Sequence, residues 1–494
     1  MTVRFVLIAV AIAVAASSQQ VSAQQKSVLS YHGDERRSGN YVVPALTWQR
    51  AQAVHPDHAF DARVDGHLYA QPLYWRAPGS NSAMVLTASE SDVVQAFDAQ
   101  TGKQLWRRSV GRPVAGSALP CGNINPLGIT GTPVIDPSGQ GIYFDAAVAQ
   151  ADGPHHEAFG LSLKGGSVLP GWPVDVAAAL QRAGLRFDAR PQNQRTAFSF
   201  LDDTVYAGYG GHFGDCGDYH GFVVGFPLRD PGKVASFETR ARGGGIWAPG
   251  GLAVVGHDIF AATGNTFGAG TWSDGEAVFR LSADLRRSDA KRDFFAPADW
   301  KTLDAGDEDL GGSNPIALDV PSAGGSQPLI LALGKDRKAY LFDRNNLGGI
   351  GGQLASAAVS TLRIITAPAA YPVGNDVFVA FQGPGSSCPG GGRQSGLTVL
   401  DIAGGSPPRM RMAWCGALDG RGSAMVTTTD GHSNPIVWIL GAEGDNRLHA
   451  FRGDTGAAIF TSQPMSGLRH FQTLIATPDR LYVGADGRVY AFDF

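Results

Sequence analysis

The sequence is short of the features that mark several common functional classes. Lys and Arg number 40 against 44 Asp and Glu, so the net charge is −4, and no basic block occurs. That excludes the electrostatic footprint of a nucleic-acid or anionic-membrane binder. Cysteine occurs four times, with no C-x-x-C and no C-x-x-C-H. A zinc ribbon and a covalently attached haem are therefore absent as local motifs. No G-x-S-x-G, H-E-x-x-H or Walker loop occurs, which removes the common hydrolase and nucleotide readings. Only one long apolar run exists, the twelve residues from Phe5 to Ala16. A membrane-spanning helix needs about 20, so no membrane span is expected.

That run follows Arg4 and precedes Val21-Ser22-Ala23. A basic start, an apolar middle and a small-residue site form an export leader. Residues 1–23 are expected to be removed, the mature chain to begin at Gln24, and the protein to be periplasmic or secreted. In such a compartment the four cysteines suggest two disulfides. Cys388 and Cys415 flank one hairpin unit and are the favoured pair, leaving Cys121 with Cys216. The sequence itself leaves all three connectivities open.

Glycine is abundant, at 66 residues, as a turn-dense all-β chain requires. The informative stretch is Val93 to Gly111, VVQAFDAQTGKQLWRRSVG. An alternating apolar run ends at Ala96-Phe97-Asp98, Thr101-Gly102 makes a turn, and Leu105-Trp106 opens a second run. This is a β-hairpin, and it recurs. Related segments are Ala158–Leu163, Gly221–Phe226, Ala277–Leu281, Ala339–Asp343, Leu397–Asp401, Leu448–Arg452 and Val489–Asp493. The last stops at Phe494, before its turn and outer strand. Eight units spaced about 40 to 65 residues apart predict an all-β, eight-bladed β-propeller of four-stranded blades. Leu46-Thr47-Trp48 is read as the start of the missing outer strand, so that N- and C-terminal strands close the ring and leave no exposed sheet edge. Residues 24–494 are expected to be a single domain. Val174 to Phe187 contains the one convincing short helix. Phe294 to Asp309 reads as a polar excursion with an acidic end. Gly210–Tyr219, Gly243–Gly251 and Gly383–Gly392 are Gly-rich loops.

The A-F-D-A-x-T-G-K-x-L-W pattern at Ala96–Trp106 resembles the repeat of pyrroloquinoline quinone (PQQ) dehydrogenases. Their relatives include non-enzymatic propellers such as the outer-membrane assembly lipoprotein. The resemblance covers nearly all of the expected mature chain, including the opening Tyr31–Gly39 segment. By itself the repeat implies the fold more than an activity. Four positions extend it. Gly244-Gly245-Ile246-Trp247 is similar to the family loop whose Trp lies flat against the quinone. Gly264-Asn265, eighteen residues beyond Trp247, matches a Thr-Gly-Asn whose Asn binds calcium. Asp307-Glu308-Asp309 ahead of Pro315 resembles the family segment carrying the base, here Asp309. Gly334-Lys335 matches the cation that contacts the quinone oxygens.

The residue types suit that chemistry. Trp offers a flat stacking face, and a hard Ca²⁺ takes oxygen ligands and polarises a carbonyl. A carboxylate accepts the hydroxyl proton as hydride leaves. The chain also departs from the family. The adjacent-cysteine ring is absent, and only Cys121 lies in that region. The acidic calcium ligand has no clear match. Asp215 and Asp218 fall in the right loop and Asp215 is taken as the candidate, although Cys216 holds the best-aligned place. No cytochrome domain is attached. His155-His156 lacks a third metal ligand.

Each position also has a plain structural reading: Trp247 as packing, Asn265 as a turn residue, Asp307–Asp309 as a solvated loop or cap, Lys335 as a surface charge. Two functions therefore stand open. One is a PQQ- and Ca²⁺-dependent oxidoreductase acting on an alcohol or sugar hydroxyl, with a separate electron acceptor. The other is a non-catalytic propeller that binds a protein partner and has lost the cofactor.

Overall fold

A computed structural model describes residues 27–80, 82–389 and 396–494. The expected leader, the start at Gln24 and residues 390–392 of the third Gly-rich loop lie outside the described residues. The chain forms eight sheets arranged as the blades of a propeller. Blade one is the antiparallel series Leu73–Arg76, Ala83–Ser89, Val93–Asp98 and Gln104–Ser109. Each repeat segment falls on the third strand of its blade, from Val93–Asp98 to Arg488–Asp493.

The turn chemistry explains that regularity. Asp98 Oδ1 accepts from the Thr101 N–H at 2.8 Å and from its hydroxyl at 2.7 Å. The turn closes without outside help. The outer-strand Trp106 then donates its indole N–H to Leu163 O of blade two at 2.9 Å. Trp414 does the same to Gly453 O of blade seven at 2.8 Å. Each indole lies on a turn glycine of the next blade. A Cβ on Gly166 would come 2.8 Å from Trp106, and one on Gly456 2.6 Å from Trp414. The repeat thus encodes both a hairpin and the joint to its neighbour. Between blades two and three, Val134, Tyr143, Phe198, Val205 and Phe222 are fully or almost fully buried in one cluster, the large apolar faces that make the ring cohere.

The ring closes through its termini, but not with the strand the sequence suggested. Trp48–Ala51 is a helical turn, because Thr47 caps it by accepting from Arg50 N. Trp48 donates to Pro435 O of blade seven at 2.9 Å instead of joining blade eight. The closing strand is His55–Pro56, paired with Asp493 and Phe492, and a bridge from Ala62 to Val489 continues it. Two further expectations gain exact bounds. The short helix is Val176–Arg182, capped by Asp175. The Phe294–Asp309 excursion instead supplies the outer strand of blade four, Phe294–Ala296, and a helix, Trp300–Gly306. Its two phenylalanines are buried, which the polar residues after them masked.

The opening segment is the structural hub. Val28 N donates to Tyr74 O of blade one, and Leu29 O accepts from Ile135 of blade two. The Glu35 carboxylate accepts from Phe200 N of blade three, and its carbonyl from Val254 N of blade four. Arg36 pairs with Asp319 of blade five at 2.5 Å. Ser38 O and Gly39 O accept from Ala370 of blade six and Val426 of blade seven. Asn40–Val42 then lies parallel to the inner strand of blade seven. Arg37, fully buried, donates to Leu252 O, Tyr31 O, Phe198 O and Ser199 Oγ.

Cys388 is bonded to Cys415 and Cys121 to Cys216, as favoured. Bonds of this kind persist in oxidising compartments. No helix among the described residues is long and apolar enough to cross a membrane.

Candidate functional site

Four sequence-picked residues meet because the backbone segments that carry them hydrogen-bond side by side. Gly244 N donates to Asn265 O and Gly264 N to Gly245 O. Gly311 N donates to Thr263 O, and Lys335 N to Asp309 O at 2.9 Å. The segments of Trp247, Asn265, Asp309 and Lys335 thus follow one another around one mouth of the ring. Gly264 sits at the junction. A Cβ there would come 2.9 Å from Asp309 Oδ1 and 3.2 Å from Trp247 Nε1, so glycine permits this close approach.

Asp309, almost fully buried, accepts from Asn265 N at 2.8 Å on Oδ1 and from Lys335 Nζ at 2.6 Å on Oδ2. Lys335 Nζ also reaches Asp307 Oδ1 at 2.7 Å and stands 5.1 Å from the Trp247 ring centre. Burial alone would lower the lysine's pKa. The Asp309 and Asp307 carboxylates outweigh it and hold the ammonium above its ordinary value. Arg363 bridges Asp307 and Glu308 at the rim. Behind Asp309, Glu276 accepts from Leu310 N at 2.6 Å. Burial, then the neighbouring Asp309, pushes Glu276 well above the usual carboxylate range.

Asp215 stands apart. Its Oδ1 accepts from the Tyr219 hydroxyl at 2.6 Å. Burial raises it, and the charges of Asp309 and Asp307 add to that. Its loop is tied down by the Cys121–Cys216 bond and by Arg242, which donates to Asp215 O and Gly217 O. Asp218 points elsewhere, toward Arg186. The two adjacent histidines are committed separately: His155 to Asp152 and Asp175, His156 to Asp145 and Gln192 O.

Sequence reasoning missed Arg195 and Glu90. Arg195 precedes the inner strand of blade three, with its Cζ 5.0 Å from the Trp247 ring centre and 5.7 Å from that of Phe471. Beside it lies a cavity of about 10 Å³ lined by Tyr31, Tyr69, Thr130, Thr132, Pro249 and Phe471. Glu90 follows the second strand of blade one, fully buried, and accepts from Gly128 N at 2.7 Å. Burial pushes it up to about 7 against the opposing pull of that bond, Thr130, Arg469 and Arg195. Neither residue stands in a motif; only burial gives them meaning.

Trp247 is part-exposed and has two cations over its ring, Arg195 and Lys335, the groups an organic polyanion would meet there. A calcium ion takes six to eight oxygens; here each Asp309 oxygen already accepts one hydrogen bond, Asp215 Oδ1 accepts from Tyr219, and the Asn265 backbone N–H is given to Asp309. No three carboxylate, His or Cys side chains gather into a cation site among the described residues. The expected metal roles of Asn265 and Asp215 therefore have no assembled donor set.

No family model and no curated protein matches the sequence. Solved structures do match. A quinohemoprotein alcohol dehydrogenase from Pseudomonas putida HK5 is 13% identical, with a TM-score of 0.65 over 96% of this chain and 81% of that one. A europium-containing methanol dehydrogenase is 13% identical, with a TM-score of 0.63 over 95% and 92%. A quinohemoprotein alcohol dehydrogenase from Comamonas testosteroni is 13% identical, with a TM-score of 0.57 over 97% and 84%. At these identities the likeness is one of fold.

Proposed function

We propose that this chain is an exported, quinone-dependent oxidoreductase acting on an alcohol or sugar hydroxyl. The observation that carries the reading is the contact of Asp309 with Lys335 beside Trp247 at one mouth of the ring. Trp247 supplies the stacking face for PQQ. When bound there, the quinone would accept the substrate's hydride. Asp309 retains a free lone pair on each oxygen and takes the hydroxyl proton. Lys335, held cationic by two carboxylates, stabilises negative charge that develops beside it. Asn265 N–H and Lys335 fix the Asp309 carboxylate, so its proton-accepting edge is preorganised. Electrons leave through a separate acceptor.

The test is titration of the purified chain with PQQ, following Trp fluorescence. Saturable binding that Trp247→Ala weakens about fivefold, in line with a stacking term near 1 kcal/mol, supports the reading. Wild-type protein that leaves PQQ in solution refutes it. A non-catalytic propeller that has kept the fold is then favoured.

A further inference from the structure

One charge at this mouth has no counterpart. Arg195 makes no ion pair and no side-chain hydrogen bond among the described residues, and its Nε is fully enclosed without a partner. Three neighbouring cations are committed: Lys335 to Asp307 and Asp309, Arg363 to Asp307 and Glu308, Arg469 to Asp486. A part-buried arginine whose Nε is enclosed and which is given no anion is costly. Burial lowers its pKa to about 10, and Tyr69, Asp309, Asp215 and Glu90 offset this only from a distance. It remains a cation at neutral pH.

Arg195 is also aimed. Its guanidinium lies between the rings of Trp247 and Phe471. Arg195 Cζ and Lys335 Nζ each stand about 5 Å from the same Trp247 ring centre, so they are no more than about 10 Å apart. The cavity on the Tyr31 side holds about 10 Å³, room for about one water. The part-exposed Trp247 side is where an anion larger than water could approach.

We propose that Arg195 is the anchor for a carboxylate of the molecule that lies on Trp247, so that this site is selective for organic acids over neutral analogues of the same shape. The proposal rests on the quinone-site reading for its location, not for its outcome. Planar guanidinium suits carboxylate by paired N–H donation. The carboxylate belongs either to the quinone, which carries three, or to a hydroxy-acid substrate whose hydroxyl reaches Asp309.

The experiment compares wild type, Arg195→Gln and Arg195→Lys, each first checked for an unchanged fold by circular dichroism. One arm titrates PQQ against its neutral trimethyl ester by fluorescence. The other compares gluconate with glucose by thermal shift. A charge-assisted hydrogen bond contributes about tenfold or more in affinity. If the quinone supplies the carboxylate, wild type prefers PQQ over the ester by about that factor. Arg195→Gln then loses the preference while keeping its affinity for the ester, and Arg195→Lys retains part of it. If the substrate supplies it, gluconate but not glucose stabilises wild type, and Arg195→Gln abolishes the difference. PQQ binding that is indifferent to Arg195, with no gluconate response, overturns the anchor while leaving the quinone reading intact. An Arg195-dependent gluconate response without PQQ binding does the reverse. No acid-over-neutral preference in either arm also overturns it.

Discussion

Glu90, buried after the second strand of blade one, offers a quantitative test of how burial sets its charge. It is fully buried, and its pKa rises from 4.5 to about 7. Below about pH 4.5 the carboxyl is protonated in both folded and unfolded chains. Between about 4.5 and 7 the folded chain keeps the proton and the unfolded chain has lost it, so stability falls as pH rises. Above about 7 the loss is complete. At about 1.36 kcal/mol per pKa unit it amounts to about 3 kcal/mol. Glu90→Gln keeps an acceptor for Gly128 N and removes the titration. An unfolding entropy of about 2.1 cal/mol/K per residue gives this chain about 1 kcal/mol/K. The variant should then melt about 3 °C above wild type at pH 8 and level with it at pH 4.5, in scans at one heating rate. Asp92, pushed up to about 9 by burial first and then by the neighbouring Glu90 charge, is relieved of that charge in the variant, which widens the difference at pH 8. An equal difference at both pH values, or a variant less stable at pH 8, would show that Glu90 is charged and compensated in the fold.

Three further outcomes are expected. Arg37→Met removes the donor to Tyr31 O, Phe198 O and Ser199 Oγ and one of two donors to Leu252 O, and should cost about 3 kcal/mol or more. Its neighbour Arg36→Ala breaks only a half-exposed pair and should cost under about 1 kcal/mol; comparable losses in denaturant melts would refute the hub. Asp309→Asn should lower turnover by about 10² to 10⁴-fold and leave PQQ affinity within a small factor, so an active variant removes Asp309 as the base. Deleting Val489–Phe494 removes the partner of His55–Pro56 and should destabilise the whole ring; a truncated chain with an unchanged melting profile would argue that the blades stand independently.

The repeat was readable because its information is local. Asp98, Thr101 and Gly102 make one turn within five residues, and Asp454-Thr455-Gly456 repeats it in blade seven. The closing strand was misread for the complementary reason. Leu46-Thr47-Trp48 has strand-like side chains, but a single bond to the Thr47 hydroxyl turns Trp48–Ala51 into a helical turn. At the site, Trp247, Asn265, Asp309 and Lys335 were visible through spacing that resembles a known family. Asp215, expected as a metal ligand, accepts from Tyr219 on the same loop. Arg195 and Glu90 were invisible, because an isolated charge in a sequence does not reveal that it will be enclosed.

The opening segment's contacts also govern how the molecule is made. Arg50 meets the carbonyl of Phe494 across 444 residues of chain, and Leu68 meets Gln472 across 404. Closing a loop of this length costs about 5 kcal/mol of chain entropy before any contact offsets it. The first residues synthesised after the expected leader cannot settle until the inner strands of seven blades exist for them to touch, and the last blade cannot be completed without them. Assembly is therefore gated on the arrival of the C-terminus, and the nascent chain must wait with its sheet edges open. Once shut, the ring has to release hub and closing strand together before any blade can leave, so the lifetime of the native molecule is set by a barrier more than by an equilibrium.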